Sequence, residues 1–233
     1  MEVYLIRHTT PFIEKGICYE QSDLEVDVNH FESELKIIQE KLPPDFDAVF
    51  TSPLQRCTTL AEKMSLNSIS DNRLMEINFG EWELKKWNEI SKEQLQDWTD
   101  DLVHYKPKNG ESLLELNTRV EIFIEELLQS NHNKILLVTH AGIIRCFWKY
   151  ILKIPLKNCM KIPVDFGEVL ALHLDKKNGL SMDYSKTIKD WKSSLLLYLY
   201  FKSKAICAGM LPASVFHFSL PSLSKQYTYP EDT

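Results

Sequence analysis

Glycine and proline are scarce: 233 residues hold 7 Gly and 10 Pro, which excludes collagen-like and low-complexity classes. Surplus positive charge is missing too. Lys and Arg number 27 against 33 Asp and Glu, a net charge of -6, so a nucleic-acid partner held by an overall basic surface has no support. The five cysteines, at 18, 57, 146, 159 and 207, are odd in number and form no Cys-x-x-Cys pair. That pattern argues against a disulfide framework and fits reduced thiols in the cytosol, so the expected location is cytoplasmic. Long apolar runs are lacking as well. The first breaks after four residues, too short for a signal-peptide core. The apolar stretches at 195–201 and 205–220, the second containing Pro212, fall short of the roughly 18 uninterrupted apolar residues of a membrane span. Nothing in the sequence fixes an oligomeric state.

What is present suits a protein able to bury a core: 44% of residues are hydrophobic and 26% charged. The length allows one large domain or two small ones. Charge divides the chain unevenly. Residues 1–174 carry 19 Lys and Arg against 28 Asp and Glu, a net -9, whereas 175–233 carry a net +3. The texture changes at the same place, so 1–174 is read as a catalytic body and 175–233 as a C-terminal extension without an assigned function.

Within the body, apolar runs of strand length alternate with helix-period segments. Residues 3–6 (Val-Tyr-Leu-Ile) form a wholly apolar run, as in a strand buried on both faces. Apolar residues at 31, 35, 38 and 42 make a helical stripe that ends at Pro43-Pro44. A short strand at 48–50 leads to Thr51-Ser52-Pro53, where Ser52 is expected as a helix N-cap and Pro53 as the first helical residue. Ser112 and Glu115 form a capping box at the head of a helix over 112–129. Further strands are expected at 135–139 and 169–174, with a helix between them running through Leu152. This alternation predicts an α/β fold with a mainly parallel sheet.

In such sheets ligands collect beyond the carboxyl ends of the strands. The first strand ends in Arg7-His8, the second leads to Arg56, and the third ends in Thr139-His140. The chain has five arginines beside 22 lysines, so two Arg at these ends and Arg145 just beyond are conspicuous. A planar guanidinium fork suits phosphate oxygens, and the helices starting near Pro53 and Gly142 add their positive ends. A lone His or Arg at a strand end is ordinarily structural. Coincidence at three ends on one side argues instead for a pocket binding a phosphate monoester. Neutral His8 would attack phosphorus to give a phosphohistidine that water hydrolyses, with Arg7, Arg56 and His140 stabilising the transferring oxygens. A proton donor is needed for the leaving alkoxide, and Glu76, Glu81 and Glu83 are equally eligible by spacing.

Leu5-Ile6-Arg7-His8, Ser52-Pro53-Leu54-Gln55-Arg56, the segment Glu76 to Glu83, and Val138-Thr139-His140-Ala141-Gly142 together resemble the histidine phosphatase (phosphoglycerate mutase-like) superfamily, over roughly residues 1–174. The resemblance implies a three-layer α/β/α sandwich. It also implies His8 as nucleophile, Arg7, Arg56 and His140 as the rest of the phosphate pocket, Glu76 as proton donor, and no metal or organic cofactor. Within the superfamily the stretches Gly16 to Asp23, Phe79 to Glu83 with Trp87, Gly110-Glu111-Ser112 and Thr139 to Arg145 are most similar to the α-ribazole phosphatases of cobalamin nucleotide-loop assembly. The chain departs from the family at Thr9, which replaces a common Gly and is a candidate phosphate contact, and at Glu20, where the loop usually has Gly. If that loop turns with φ > 0, Glu20 is strained by about 1–2 kcal/mol. It also brings negative charge toward an anionic substrate.

Other readings fare worse. No cysteine has Arg six residues on, as a cysteine phosphatase requires. Asp45 and Asp47 imitate an aspartate-nucleophile motif but precede their strand, facing the wrong edge. A broad-specificity phosphatase, a phosphoglycerate mutase and a catalytically silent phosphate-binding protein are the alternatives. The mutase is disfavoured because the Trp-rich segment after Glu76 (Trp82, Trp87, Trp98) has no evident basic insertion. Those tryptophans are expected mainly as packing residues, and Arg145 as the partner of a carboxylate.

Overall fold

The computed structural model describes residues 1–174; the extension proposed for 175–233 lies outside the described residues. Among the described residues five strands form one sheet: β1 (Glu2–Arg7), β2 (Ala48–Thr51), β3 (Ile69–Ser70), β4 (Lys134–Thr139) and β5 (Val169–His173). Their order is β3-β2-β4-β1-β5. All neighbouring pairs are parallel except β1 with β5. The helices are α1 (Val28–Lys41), α2 (Gln55–Lys63), α3 (Lys92–Asp100), α4 (Leu113–Gln129), α5 (Ala141–Leu152) and α6 (Leu156–Cys159).

Strand alternation explains the layers. On β2 and β4, Val49, Leu136 and Val138 join Ile6 against Phe31, Leu35 and Ile38 of α1 and Cys57, Leu60 and Ala61 of α2. Phe50, pointing the other way, meets Phe123 of α4 edge to face at 5.6 Å between ring centroids. The sheet is therefore covered on both sides, which is why β1 and β4 read as unbroken apolar runs rather than alternating ones. Burying each such Leu, Ile or Phe contributes about 1.5–3 kcal/mol. The fold is the expected three-layer α/β sandwich.

Two local expectations need correction. Helix α2 begins at Gln55, so Pro53 lies before the helix rather than at its first position, and the N-cap position is Leu54, not Ser52. The Ser52 hydroxyl instead accepts from the Leu54 N–H at 3.3 Å and bonds to His140. The capping box at Ser112 is present, with Ser112 Oγ accepting from Glu115 N and Glu115 accepting from Ser112 N. Asp47 lies at the amino edge of the sheet, where it accepts from the N–H groups of Asn133 and Lys134. It ties the start of β2 to the start of β4, and faces away from the edge that matters below.

Candidate functional site

The register of β1 on β4 sets the site. Arg7 pairs with Thr139, so the next residues, His8 and His140, leave neighbouring parallel strands at one level. Their rings stand edge to face with centroids 5.0 Å apart. His8 is held by its own backbone N–H, donating to Thr139 O at 2.9 Å, and by Gly167 N–H donating to its carbonyl at 3.2 Å.

The His8 ring is buried. Its Nδ1 lies 2.7 Å from the Thr9 carbonyl oxygen. A carbonyl only accepts, so Nδ1 carries the proton and Nε2 keeps its lone pair. Arg56 agrees with that assignment, because its Nε–H donates to His8 Nε2 at 3.2 Å. Burial first, then the charges of Arg56 and Arg7, holds the His8 pKa well below 6.5. His140 is buried beside it and is likewise pushed well below 6.5, mainly by burial and then by Arg56. Its Nε2 is 2.8 Å from Ser52 Oγ and 3.5 Å from Cys57 Sγ. Its Nδ1 is buried with no hydrogen-bond partner.

The two arginines are anchored differently. Arg7 donates through Nη1 to Val164 O at 2.6 Å, and its guanidinium lies 3.7 Å over the Phe166 ring. Phe166 also flanks His8, at 5.5 Å between centroids. Arg56, wholly buried, donates through Nη1 to Ser22 O at 2.6 Å and through Nη2 to Glu20 O at 2.5 Å. Three of its five N–H bonds are thus committed and two remain for an anion. Thr9 is buried with its hydroxyl unpartnered.

Geometry also separates the three glutamates. Glu81 pairs with Lys108 at the surface, 2.8 Å away. Glu83 is consumed as a scaffold, accepting from Gln21 N, Ser22 N, Ser22 Oγ and Phe79 N. Glu76 alone of the three is buried beside the histidines. Its Oε1 accepts from Ile77 N at 2.9 Å, and its Oε2 from Gly142 N at 3.0 Å, in the first turn of α5 two residues after His140. A Cβ at Gly142 would collide with Glu76 Oε1. Only glycine permits this approach.

Comparison with known proteins gives the family. The pattern of the histidine phosphatase superfamily (branch 1) matches residues 3–185. The chain belongs to that superfamily. It is 28% identical over 144 residues to the adenosylcobalamin/alpha-ribazole phosphatase of Escherichia coli K12, covering 57% of this chain and 69% of that one. It is 23% identical over 159 residues to phosphoserine phosphatase 1 of Hydrogenobacter thermophilus, covering 65% and 75%. The crystal structure of the alpha-ribazole phosphatase from Shigella flexneri superposes with a TM-score of 0.70 at 24% identity, over 82% of this chain and 99% of that one. At that identity the likeness is one of fold.

Around this histidine phosphatase site, the loop after Cys18 departs from expectation. Glu20 is not strained: among the described residues the non-glycine positions with positive φ are Ser65, Leu84, Asn109 and Lys153. Its charge does matter. Burial, and then neighbouring Glu76, push the Glu20 carboxyl up to about 7, with Arg7 opposing. Asp23 Oδ1 accepts from Gln55 N at 2.6 Å and so caps α2 from another segment. Arg145 donates to the Ile162 carbonyl at 3.0 Å rather than to a carboxylate. Cys18 is buried with Phe79, Trp82 and Ile90, against which Trp87, Trp98 and Tyr105 pack. Trp87 stacks on Trp98 and Trp82 on Tyr105, so these rings serve one another.

Arg119 and Glu111 escaped the sequence reading. Arg119 donates to Arg73 O at 2.6 Å and Glu76 O at 3.0 Å, while Glu111 accepts from its Nε and Nη2 at 2.8 and 2.9 Å. This ion pair fixes the backbone that presents Glu76. The only signal for it was the rarity of arginine.

Proposed function

We propose that the protein is a phosphomonoesterase acting through a phosphohistidine on His8, and that it removes the 5′-phosphate of α-ribazole phosphate or of the corresponding cobamide phosphate in the cytoplasm. The observation that carries the chemistry is the Thr9 carbonyl on His8 Nδ1, which leaves the Nε2 lone pair for phosphorus. The depressed His8 pKa keeps that lone pair unprotonated at neutral pH.

In the first step His8 Nε2 bonds to phosphorus as the bond to the ester oxygen breaks, and Glu76 supplies the proton that the leaving oxygen needs. As phosphorus takes the lone pair, Arg56 Nε–H turns from Nε2 to a phosphoryl oxygen. Arg7, the remaining Arg56 donors, His140 and the Thr9 hydroxyl stabilise the other oxygens, helped by the amino ends of α2 and α5. In the second step water attacks phosphorus, Glu76 takes its proton, and the P–N bond breaks to restore neutral His8. Every group used is a protein side chain or backbone N–H, so turnover is expected in EDTA without metal or organic cofactor.

The ribazole substrate is supported by the loop and Trp motifs and by the likeness to the E. coli phosphatase. Hydrolysis is favoured over mutase chemistry by the lack of a basic insertion after Glu76, and two cations near the Trp segment are already paired, Lys86 with Glu14 and Lys108 with Glu81. Turnover of α-ribazole 5′-phosphate, 3-phosphoglycerate and a sugar phosphate, measured in parallel, tests the substrate. The expected preference for the ribazole ester exceeds about tenfold, or about 1.4 kcal/mol; a smaller one contradicts it. A silent phosphate-binding protein would not turn over p-nitrophenyl phosphate at all.

A further inference from the structure

The peptide unit joining Thr9 to Thr10 carries two hydrogen bonds at once. On one side its carbonyl, Thr9 O, accepts from His8 Nδ1 at 2.7 Å. On the other its N–H, on Thr10, donates to Glu34 Oε2 at 2.7 Å. The second oxygen, Glu34 Oε1, accepts from Thr10 Oγ1 at 2.6 Å. Glu34 stands on α1, whose buried face (Phe31, Leu35, Ile38) packs under the sheet, so its carboxyl is delivered from a rigid element.

Because a peptide unit is planar and delocalised, its N–H and C=O respond together. A carboxylate on the N–H pushes electron density toward the carbonyl oxygen, which strengthens the bond that this oxygen accepts from Nδ1. We propose that Glu34, the Thr9–Thr10 peptide and His8 form a carboxylate–peptide–imidazole chain in which Glu34 is a positioning residue for the nucleophile. This rests on the phosphohistidine reading above and deepens it. The chain does for His8 what a directly bonded carboxylate does for other functional histidines: it fixes the tautomer, aims the ring, and favours the positive charge that Nε2–P bond formation places on the imidazole. The peptide relays the carboxylate's influence where the carboxylate itself is not in contact with the ring.

The hydroxyl leg separates this role from simple anchoring of the loop. Glu34→Gln keeps an acceptor for Thr10 N–H and removes the charge. Glu34→Ala removes both legs, and Thr10→Val removes the hydroxyl leg while leaving the peptide N–H on Glu34. On p-nitrophenyl phosphate, kcat is expected to fall about tenfold in Glu34→Gln and about a hundredfold in Glu34→Ala, with KM within about threefold and Thr10→Val near wild type. Proton and nitrogen-15 NMR of the full-length protein should show His8 protonated at Nδ1 throughout, with the Nδ1–H proton shifted upfield in Glu34→Ala, as for a weakened bond to Thr9 O, and unshifted in Thr10→Val. Two results overturn the proposal: Thr10→Val as damaged as Glu34→Ala, which makes the clamp mechanical, or an unchanged Nδ1–H shift in Glu34→Ala. A wild-type enzyme that turns over esters but forms no phosphohistidine refutes the underlying mechanism, whatever the Glu34 variants do.

Discussion

His8 and His140 stand edge to face, 5.0 Å between ring centroids and 62° between planes, at the adjacent ends of two parallel strands. The pairing of Arg7 with Thr139 makes this unavoidable once the sheet forms. Both rings are buried and kept neutral by burial and by Arg56.

That neutrality has a cost in acid. Each histidine has a native pKa well below the unfolded value of about 6.5. The unfolded chain therefore binds more protons below that pH, and the stability present above it is lost as pH falls. The slope per histidine is at most about 1.4 kcal/mol per pH unit. Denaturant midpoints between about pH 7.5 and 5 should fall less steeply for His140→Asn than for wild type; parallel slopes would contradict the assignment.

Replacing Glu76 with Gln removes the proton that the leaving oxygen needs. Activity on an alkyl phosphate should fall by about 10²–10⁴. With p-nitrophenyl phosphate, whose leaving group needs no proton, the pre-steady-state release of p-nitrophenolate should fall far less, while the hydrolysis of phosphohistidine that follows is slowed. Equal losses in the first step on the two substrates would mean that Glu76 does not supply the leaving-group proton.

Gly142→Ala places a methyl group where Glu76 Oε1 sits. The obstructed atom is the end of a side chain, so Glu76 can swing away. Stability should fall by about 1–3 kcal/mol. The kinetic signature should repeat that of Glu76→Gln, with alkyl esters hit hardest.

Glu20 titrates near neutrality, at about 7. Above that pH its negative charge sits among Arg7 and Glu76 and opposes an anionic ester. Glu20→Gln should lower KM for p-nitrophenyl phosphate by about three- to tenfold at pH 8 and leave it nearly unchanged at pH 5.5. An effect equal at both values would refute the electrostatic cause.

Much of this architecture was legible because it depends on local rules. Apolar runs at 3–6 and 135–139 announced strands buried on both faces, and the Ser112–Glu115 box marked the start of α4. Residues at strand ends foretold which side chains would meet. What escaped depends on contacts between distant segments. Ser52 looked like a cap, but its hydroxyl also has His140 to satisfy. The edge strand β3, two residues long, and helix α3, which has no fully buried residue, have too little apolar pattern to notice. Arg119 reaching back to Glu76 O, and Glu34 reaching Thr10, are side-chain bonds across separate elements that no periodicity encodes.

The central claim is capture of phosphorus by the His8 ring. Acid-free quenching during turnover of an alkyl phosphate, followed by mass spectrometry of the peptide containing His8, tests it directly. The account predicts a phosphoryl group on His8 Nε2 that is labile to acid, accumulates further in Glu76→Gln with p-nitrophenyl phosphate, and is absent from His8→Ala. Full turnover by His8→Ala, or a phosphoryl group on another residue, would contradict it.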